Sequence, residues 1–217
     1  MKKAIIMVSV ILLTQQVTQA QGTTYLSNLG QPSAGSLAVG SDSWIASGFI
    51  TGNNAGGYWL NSIQFGMADA TGSPSGLTVM LYAQSSDPSG VLPGSSLGTL
   101  NGSANPSTTG IYTYTPSLSL MLSPDTIYFI ELTAGTTVAN GAYQWNYADT
   151  QSYNPIGNWG GGGTALGSGN GSFWYQFGPP FYYPQFAITA DPIPEPGVLS
   201  LFILGGLCFL WRRRKLC

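Results

Sequence analysis

The sequence contains no histidine, and its two cysteines, Cys208 and Cys217, lie close to the C-terminus. The long middle part therefore has no imidazole, no thiolate and no disulfide. Ser-His-Asp and Cys-His catalytic groups and Cys/His zinc sites are excluded there, because each requires one of these side chains. A domain of about 170 residues must then be stabilised by core packing and strand hydrogen bonds, which is feasible at this size.

Basic residues are also absent from the middle of the chain. All six lie at the two ends, whereas eight acidic residues lie between them. Without the ends, the net charge is 0 − 8 = −8, or −7 if Glu195 is also removed. A domain without cations cannot release counterions from a phosphate backbone, so nucleic acid is excluded as a natural partner. An acidic polysaccharide would be repelled unless a divalent cation such as calcium bridged the carboxylates. The sequence has no D-x-[DN]-x-[DN]-G calcium loop. No other cofactor is expected.

The amino end has the pattern of a secretory signal peptide. Two lysines precede the apolar run 4–13, and a polar stretch ends in Ala20. The apolar run is too short to span a membrane, and the small residue fits position −1 of a signal-peptidase site. We therefore predict a signal peptide over 1–20, with cleavage after Ala20, rather than a buried first element.

The carboxyl end combines a rigid tripeptide, an apolar run and a cationic block. Pro194, Glu195 and Pro196 favour an extended backbone, because proline fixes φ and restricts the residue before it. The run 197–211 would form a helix of roughly 22 Å, shorter than the roughly 30 Å hydrocarbon core. The block that follows is typical of a cytoplasmic stop-transfer signal, and it includes Arg212, Arg213 and Arg214. An ordinary single-span anchor would also fit these physical properties.

The order and spacing of these three parts closely resemble the PEP-CTERM sorting signal, apart from the additional Leu216 and Cys217. The resemblance implies recognition of the tail 191–217 by an exosortase, a membrane-embedded cysteine protease or transpeptidase of Gram-negative bacteria. It also implies a precursor held in the inner membrane by one helix, with its domain outside. The mature form would then lie at the cell surface or outside the cell.

Between these ends, short β-type runs alternate with Gly, Pro, Asn and Ser clusters, without a helical period. The pattern predicts an exported all-β domain over 21–190, folded as an antiparallel β-sandwich resembling a jelly roll. A signal-peptide helix and a membrane helix would flank it. The predicted strands are Thr24–Asn28, Ser36–Val39, Trp44–Ile50, Trp59–Phe65, Leu77–Gln84, Ile111–Tyr114, Leu118–Leu122, Thr126–Leu132, Ala142–Tyr147, Ser172–Phe177 and Gln185–Thr189.

Several short motifs within 26–150 resemble the choice-of-anchor R domain, a family of surface β-domains carried on different sorting tails. They begin at Trp44, Tyr58, Val79, Leu92 and Leu122 and are mainly turn and core positions. The resemblance implies a surface domain and brings no activity with it. It does not extend beyond Tyr147.

The last third of the domain is rich in glycine and aromatic residues. We predict that Trp159 lies on a mobile Gly-rich loop, followed by the aromatic group Phe173, Trp174 and Tyr175. Flat apolar rings with Asn and Gln nearby can stack on sugars, so Trp159, Trp174 and Tyr175 are candidate glycan-binding residues. The alternative is that these rings fill the core or cover a sheet edge.

Catalysis is not expected. A two-carboxylate glycosidase is the one common hydrolase type still open, but Asp125 and Glu131 would lie roughly 20 Å apart on one extended strand. Glycosidase carboxyl pairs lie roughly 5–9.5 Å apart. The sequence therefore favours an exported, non-enzymatic surface or matrix protein with a structural or adhesive role in the envelope or exopolysaccharide. A carbohydrate-binding module is the main alternative.

Overall fold

The structure, a computed structural model, describes residues 22–87 and 90–195. This part contains fifteen strands and no helix. The strands are β1 (Thr23–Ser27), β2 (Gly35–Val39), β3 (Trp44–Ile50), β4 (Tyr58–Gly72), β5 (Thr78–Gln84), β6 (Pro93–Asn101), β7 (Gly110–Pro116), β8 (Met121–Leu122), β9 (Ile127–Thr133), β10 (Gly141–Ala148), β11 (Gly160–Gly161), β12 (Leu166–Ser168), β13 (Tyr175–Gln176), β14 (Tyr183–Pro184) and β15 (Phe186–Pro192).

All strand pairings are antiparallel and form one connected network among the described residues. One half follows the order β1-β15-β4-β7, and β8 and β10 also pair with β4; β10 in turn pairs with β2 and β14. The other half follows the order β6-β5-β9-β3-β12-β13, with β11 also on β3. The two halves join through a short pairing of β6 with β7. The predicted all-β, antiparallel class is thus confirmed.

A single main hydrophobic core draws side chains from both halves. Ile63 and Phe65 of β4 lie in the same buried cluster as Phe49 of β3 and Ile130 of β9. Alternate residues of a strand point to opposite faces, so Phe129 of β9 faces the other side. There it forms a second, smaller cluster with Ala46 and Leu166. The half built around β9 therefore has apolar side chains on both faces.

Several strands differ in length from their predictions, because strand bounds depend on the neighbouring strands that pair with them. The predicted strand at Trp59 extends to Gly72, because β4 pairs along its length with β15, β7, β10 and β8. The Gly- and Ser-rich β6 was not predicted, although it forms a ladder with β5. The predicted strand Ser172–Phe177 is wrong in extent: only Tyr175–Gln176 pairs with β12. A turn precedes it, in which Asn170 Oδ1 accepts the Ser172 amide and Gly171 has φ +74°.

Both ends of the described domain lie close together. Thr23 pairs with Ala190 across β1 and β15, and Pro192 pairs with Tyr58 of β4. The predicted signal peptide with Ala20, the membrane helix, Pro196 and the three arginines lie outside the described residues. Between residues 22 and 195, leaving aside 88–89, no helix is long and apolar enough to cross a membrane.

Candidate functional site: the tail junction and the aromatic surface

Trp159 lies outside the strands, immediately before β11, but it is buried, so it follows the core-filling alternative rather than the exposed placement that glycan binding requires. Its side chain is only 3% exposed and lies in the main core. Its ring stacks on Tyr25 with centroids 5.0 Å apart and on Phe49 at 6.0 Å, and it meets the edge of Tyr58 at 4.9 Å. A sugar cannot stack on a ring whose faces are already covered. Trp159 immediately precedes β11. The pairing of β11 with β3 explains the burial of Trp159, because it brings this residue against the core.

The other two candidate glycan residues lie near the surface, where β13 pairs with β12. Trp174 is half-buried and packs on the second cluster of Ala46, Phe129 and Leu166. Tyr175 is 57% exposed, and its ring meets Phe177 edge-on at 5.5 Å. Phe173 is 82% exposed. The structure therefore separates Trp159 from Trp174 and Tyr175, and Phe173 and Tyr175 are accessible to solvent beside β12.

The tail junction is the second place where predicted functional residues lie. Beyond β15, the Ile193 amide donates to Gly57 O at 3.0 Å. Asn54 Nδ2 donates to Ile193 O at 3.0 Å and to Gly57 O at 2.6 Å. The Ala55 amide donates to Glu195 Oε1 at 3.3 Å. The turn 54–57 thus holds both the backbone of the tail and the carboxylate between the two prolines.

The local sequence explains why this turn can approach the tail. The Gly57 amide donates to Asn54 O at 2.8 Å, which closes a four-residue β-turn. Gly57 has φ +76°, a conformation that favours glycine. A Cβ on Gly56 would lie 2.6 Å from Ile193 O, so only glycine leaves room for the tail backbone. The Tyr58 hydroxyl accepts the Asn54 amide and connects the turn to the aromatic core.

Glu131 carries a buried carboxylate in the middle of β9. Its side chain is 0% exposed, on the same face of β9 as Phe129. Neither carboxylate oxygen has a hydrogen-bond partner among the described residues. Burial raises the pKa of Glu131 to about 7, and the nearby Tyr82 offsets this shift only in part. The sequence could have indicated this burial, because β9 is apolar on both sides of Glu131. A continuous apolar run is typical of a strand that is covered on both faces.

No three His, Cys, Asp or Glu side chains cluster in the part of the chain that the structure describes. Asp125 lies in the turn before β9, where its amide donates to Gly52 O. Glu131 lies within the covered strand. A cavity of about 300 Å³ lies over the second cluster and is lined by Phe129, Leu166 and Gln176 among others, but Glu131 is not part of its lining.

Comparison with known proteins identifies the tail. Residues 192–215 match the PEP-CTERM protein-sorting motif. The match begins at the last residue of β15 and includes Pro194 and Glu195, so the motif predicted from the tripeptide is confirmed. Such a motif implies export, a membrane-anchored precursor and processing by exosortase. No curated protein and no solved structure matches the chain.

Proposed function

We propose that this chain is an exported bacterial protein of the cell surface or extracellular matrix, with a structural or adhesive β-domain as its payload. The observation that carries the proposal is the PEP-CTERM motif at residues 192–215. Signal peptidase would remove 1–20, and exosortase would process the tail while one helix holds the precursor in the inner membrane. The acidic domain would then be delivered outside the cell, to the envelope or to the exopolysaccharide.

The payload is proposed to be a non-enzymatic β-sandwich of the choice-of-anchor R kind. The sandwich is supported by the main core, which takes buried side chains from both halves of the strand network. The lack of enzymatic activity is supported by composition, because no His, Cys, Lys or Arg occurs between residues 22 and 195. The burial of Glu131 supports it further, since the only Glu before the tail does not line an accessible cleft.

The experiment replaces Pro194, Glu195 and Pro196 together with alanine in the full chain. We expect unprocessed precursor to accumulate in the inner membrane, because a hydrophobic anchor alone does not need this tripeptide. Intact-mass measurement would show the parent starting near Gln21 and lacking Arg212–Lys215. A triple-alanine change at the exposed residues 117–119 is the matched control and should be processed normally. Processing of the tail variant at the parent rate would contradict the proposal.

A second candidate function is carbohydrate binding, favoured by the exposed rings of Phe173 and Tyr175. We predict that Tyr175→Ala weakens binding to a neutral polysaccharide about tenfold or more, if stacking on sugars resembles the 1–3 kcal/mol of base–aromatic stacking. The melting temperature should stay unchanged, because this ring is mostly in solvent. Trp174→Ala is the poorer test, since that ring packs on the second cluster.

Binding is measured on neutral and acidic polysaccharides, with and without calcium. If the parent does not bind, or if Tyr175→Ala binds equally well, these rings have a structural role. If the parent binds only acidic glycans and only with calcium, bridging through carboxylates is the mechanism instead.

A further inference from the structure

The sorting tripeptide is in contact with the folded domain. β15 enters the matched motif at Pro192, and the next residue continues the hydrogen bonding through the Ile193 amide to Gly57 O. Its carbonyl accepts from Asn54, and Glu195 accepts from the Ala55 amide. Three contacts from one turn therefore reach the segment that exosortase must read.

These contacts use the groups that an enzyme would need. Pro194 has no amide hydrogen, and neither has Pro196, so the hydrogen-bonding groups of residues 193–196 are the carbonyls, the amides of Ile193 and Glu195, and the Glu195 carboxylate. The turn 54–57 already occupies the amide and carbonyl of Ile193 and one oxygen of Glu195. A ligand that binds only the free tail has its apparent affinity reduced in proportion to the free fraction.

We infer that the turn 54–57 is a binding site for the chain's own sorting tripeptide and competes with exosortase for it. This inference rests on the proposed function, because it assumes that exosortase reads Glu195. The folded domain then sets the processing rate, since the tail must leave the turn before it enters the enzyme. Weakening the turn's hold should speed processing rather than slow it.

Two variants remove separate contacts. Ala55→Pro removes the amide that donates to Glu195 but suits the turn, because proline is favoured at the second position of a β-turn. Asn54→Ala removes the donor to Ile193 O. The matched control is Asn140→Ala, an exposed asparagine next to the pairing of Gly141 with Gly72, at the opposite end of β4. Glu195→Ala reports on the sorting function.

Pulse–chase labelling of the full chains, in a bacterium that contains a matching exosortase, gives the processing rates. We expect Ala55→Pro and Asn54→Ala to be processed about threefold to tenfold faster than the parent, roughly the factor for one hydrogen bond. Asn140→Ala should match the parent, and Glu195→Ala should remain unprocessed. Equal or slower processing of both turn variants, with Glu195→Ala still blocked, would overturn the competition but not the sorting function. Processing of Glu195→Ala at the parent rate would overturn the sorting function instead.

Hydrogen exchange on the detergent-purified precursor provides a readout that is independent of the enzyme. The amide of Ile193 should be protected in the parent and in Asn140→Ala, and should exchange faster in Asn54→Ala. Unprotected exchange of Ile193 in the parent would show that the turn does not hold the tail, and would overturn the inference even if the variants were poorly folded.

Discussion

Glu131 shows how one buried residue makes stability depend on pH. Its carboxyl lies on the covered face of β9 without a hydrogen-bond partner among the described residues, and burial raises its pKa to about 7. In the unfolded chain the same group titrates near its ordinary pKa of about 4.3. Between these two values the folded state binds the proton more tightly than the unfolded state does. Stability from this group is therefore fully present below about pH 4.5 and falls as pH rises towards 7.

We predict that Glu131→Gln flattens this dependence and stabilises the domain at pH 8, by up to roughly 3 kcal/mol, because it removes a buried charge. Urea unfolding at pH 4.5, 6 and 8 measures the effect. Asp69→Asn is the control, since hydrogen bonds from Thr109 lower the pKa of Asp69 and place its titration below this window. A parent and a Glu131→Gln variant with equal slopes between pH 4.5 and 7 would show that the carboxyl is solvated.

At the scale of secondary-structure elements, an aromatic stack around Trp159 holds the segment next to β11 in place. Trp159 lies between Tyr25 of β1 and Phe49 of β3, and so connects the two halves of the strand network. We predict that Trp159→Ala destabilises the domain by about 3–5 kcal/mol, the usual cost of deleting a large buried aromatic ring. Thermal unfolding measures it, with Phe173→Ala as the exposed control. A melting temperature unaffected by Trp159→Ala would mean that this ring is not packed in the core.

Strand boundaries followed pairing more than local composition. The strand Trp44–Ile50 was predicted to the residue, because a run of apolar and small residues there is bounded by polar turns. The sequences of β6 and β12 give little indication of a strand. Each forms because its backbone groups hydrogen-bond to an antiparallel neighbour, β5 for β6 and β3 for β12. β propensity depends strongly on such context.

At the scale of the whole molecule, the basic residues are separated from the folded domain, and the chain enters and leaves that domain at one end. The six cations lie outside the domain, and the domain's own formal charge is −7 without the tail acid. Because β1 and β15 are antiparallel neighbours, the chain enters and leaves the domain at the same end. The apolar run begins at Gly197, two residues after Glu195, so the tripeptide lies directly between the folded domain and the apolar run in the sequence.

Local patterns were sufficient for the all-β class and the sorting motif. Alternating runs of short strands need only neighbouring residues to be recognised, and Pro-Glu-Pro, the apolar run and the arginines form a contiguous signal. Tertiary structure decided which aromatic rings are buried, because Trp159 and Tyr175 occur in similarly Gly-rich stretches and differ only in what packs on them. It also placed Asn54 against Ile193, more than a hundred residues away along the chain. Contacts of this kind depend on strand order, since β15 lies beside β4, and the sequence does not encode that order locally.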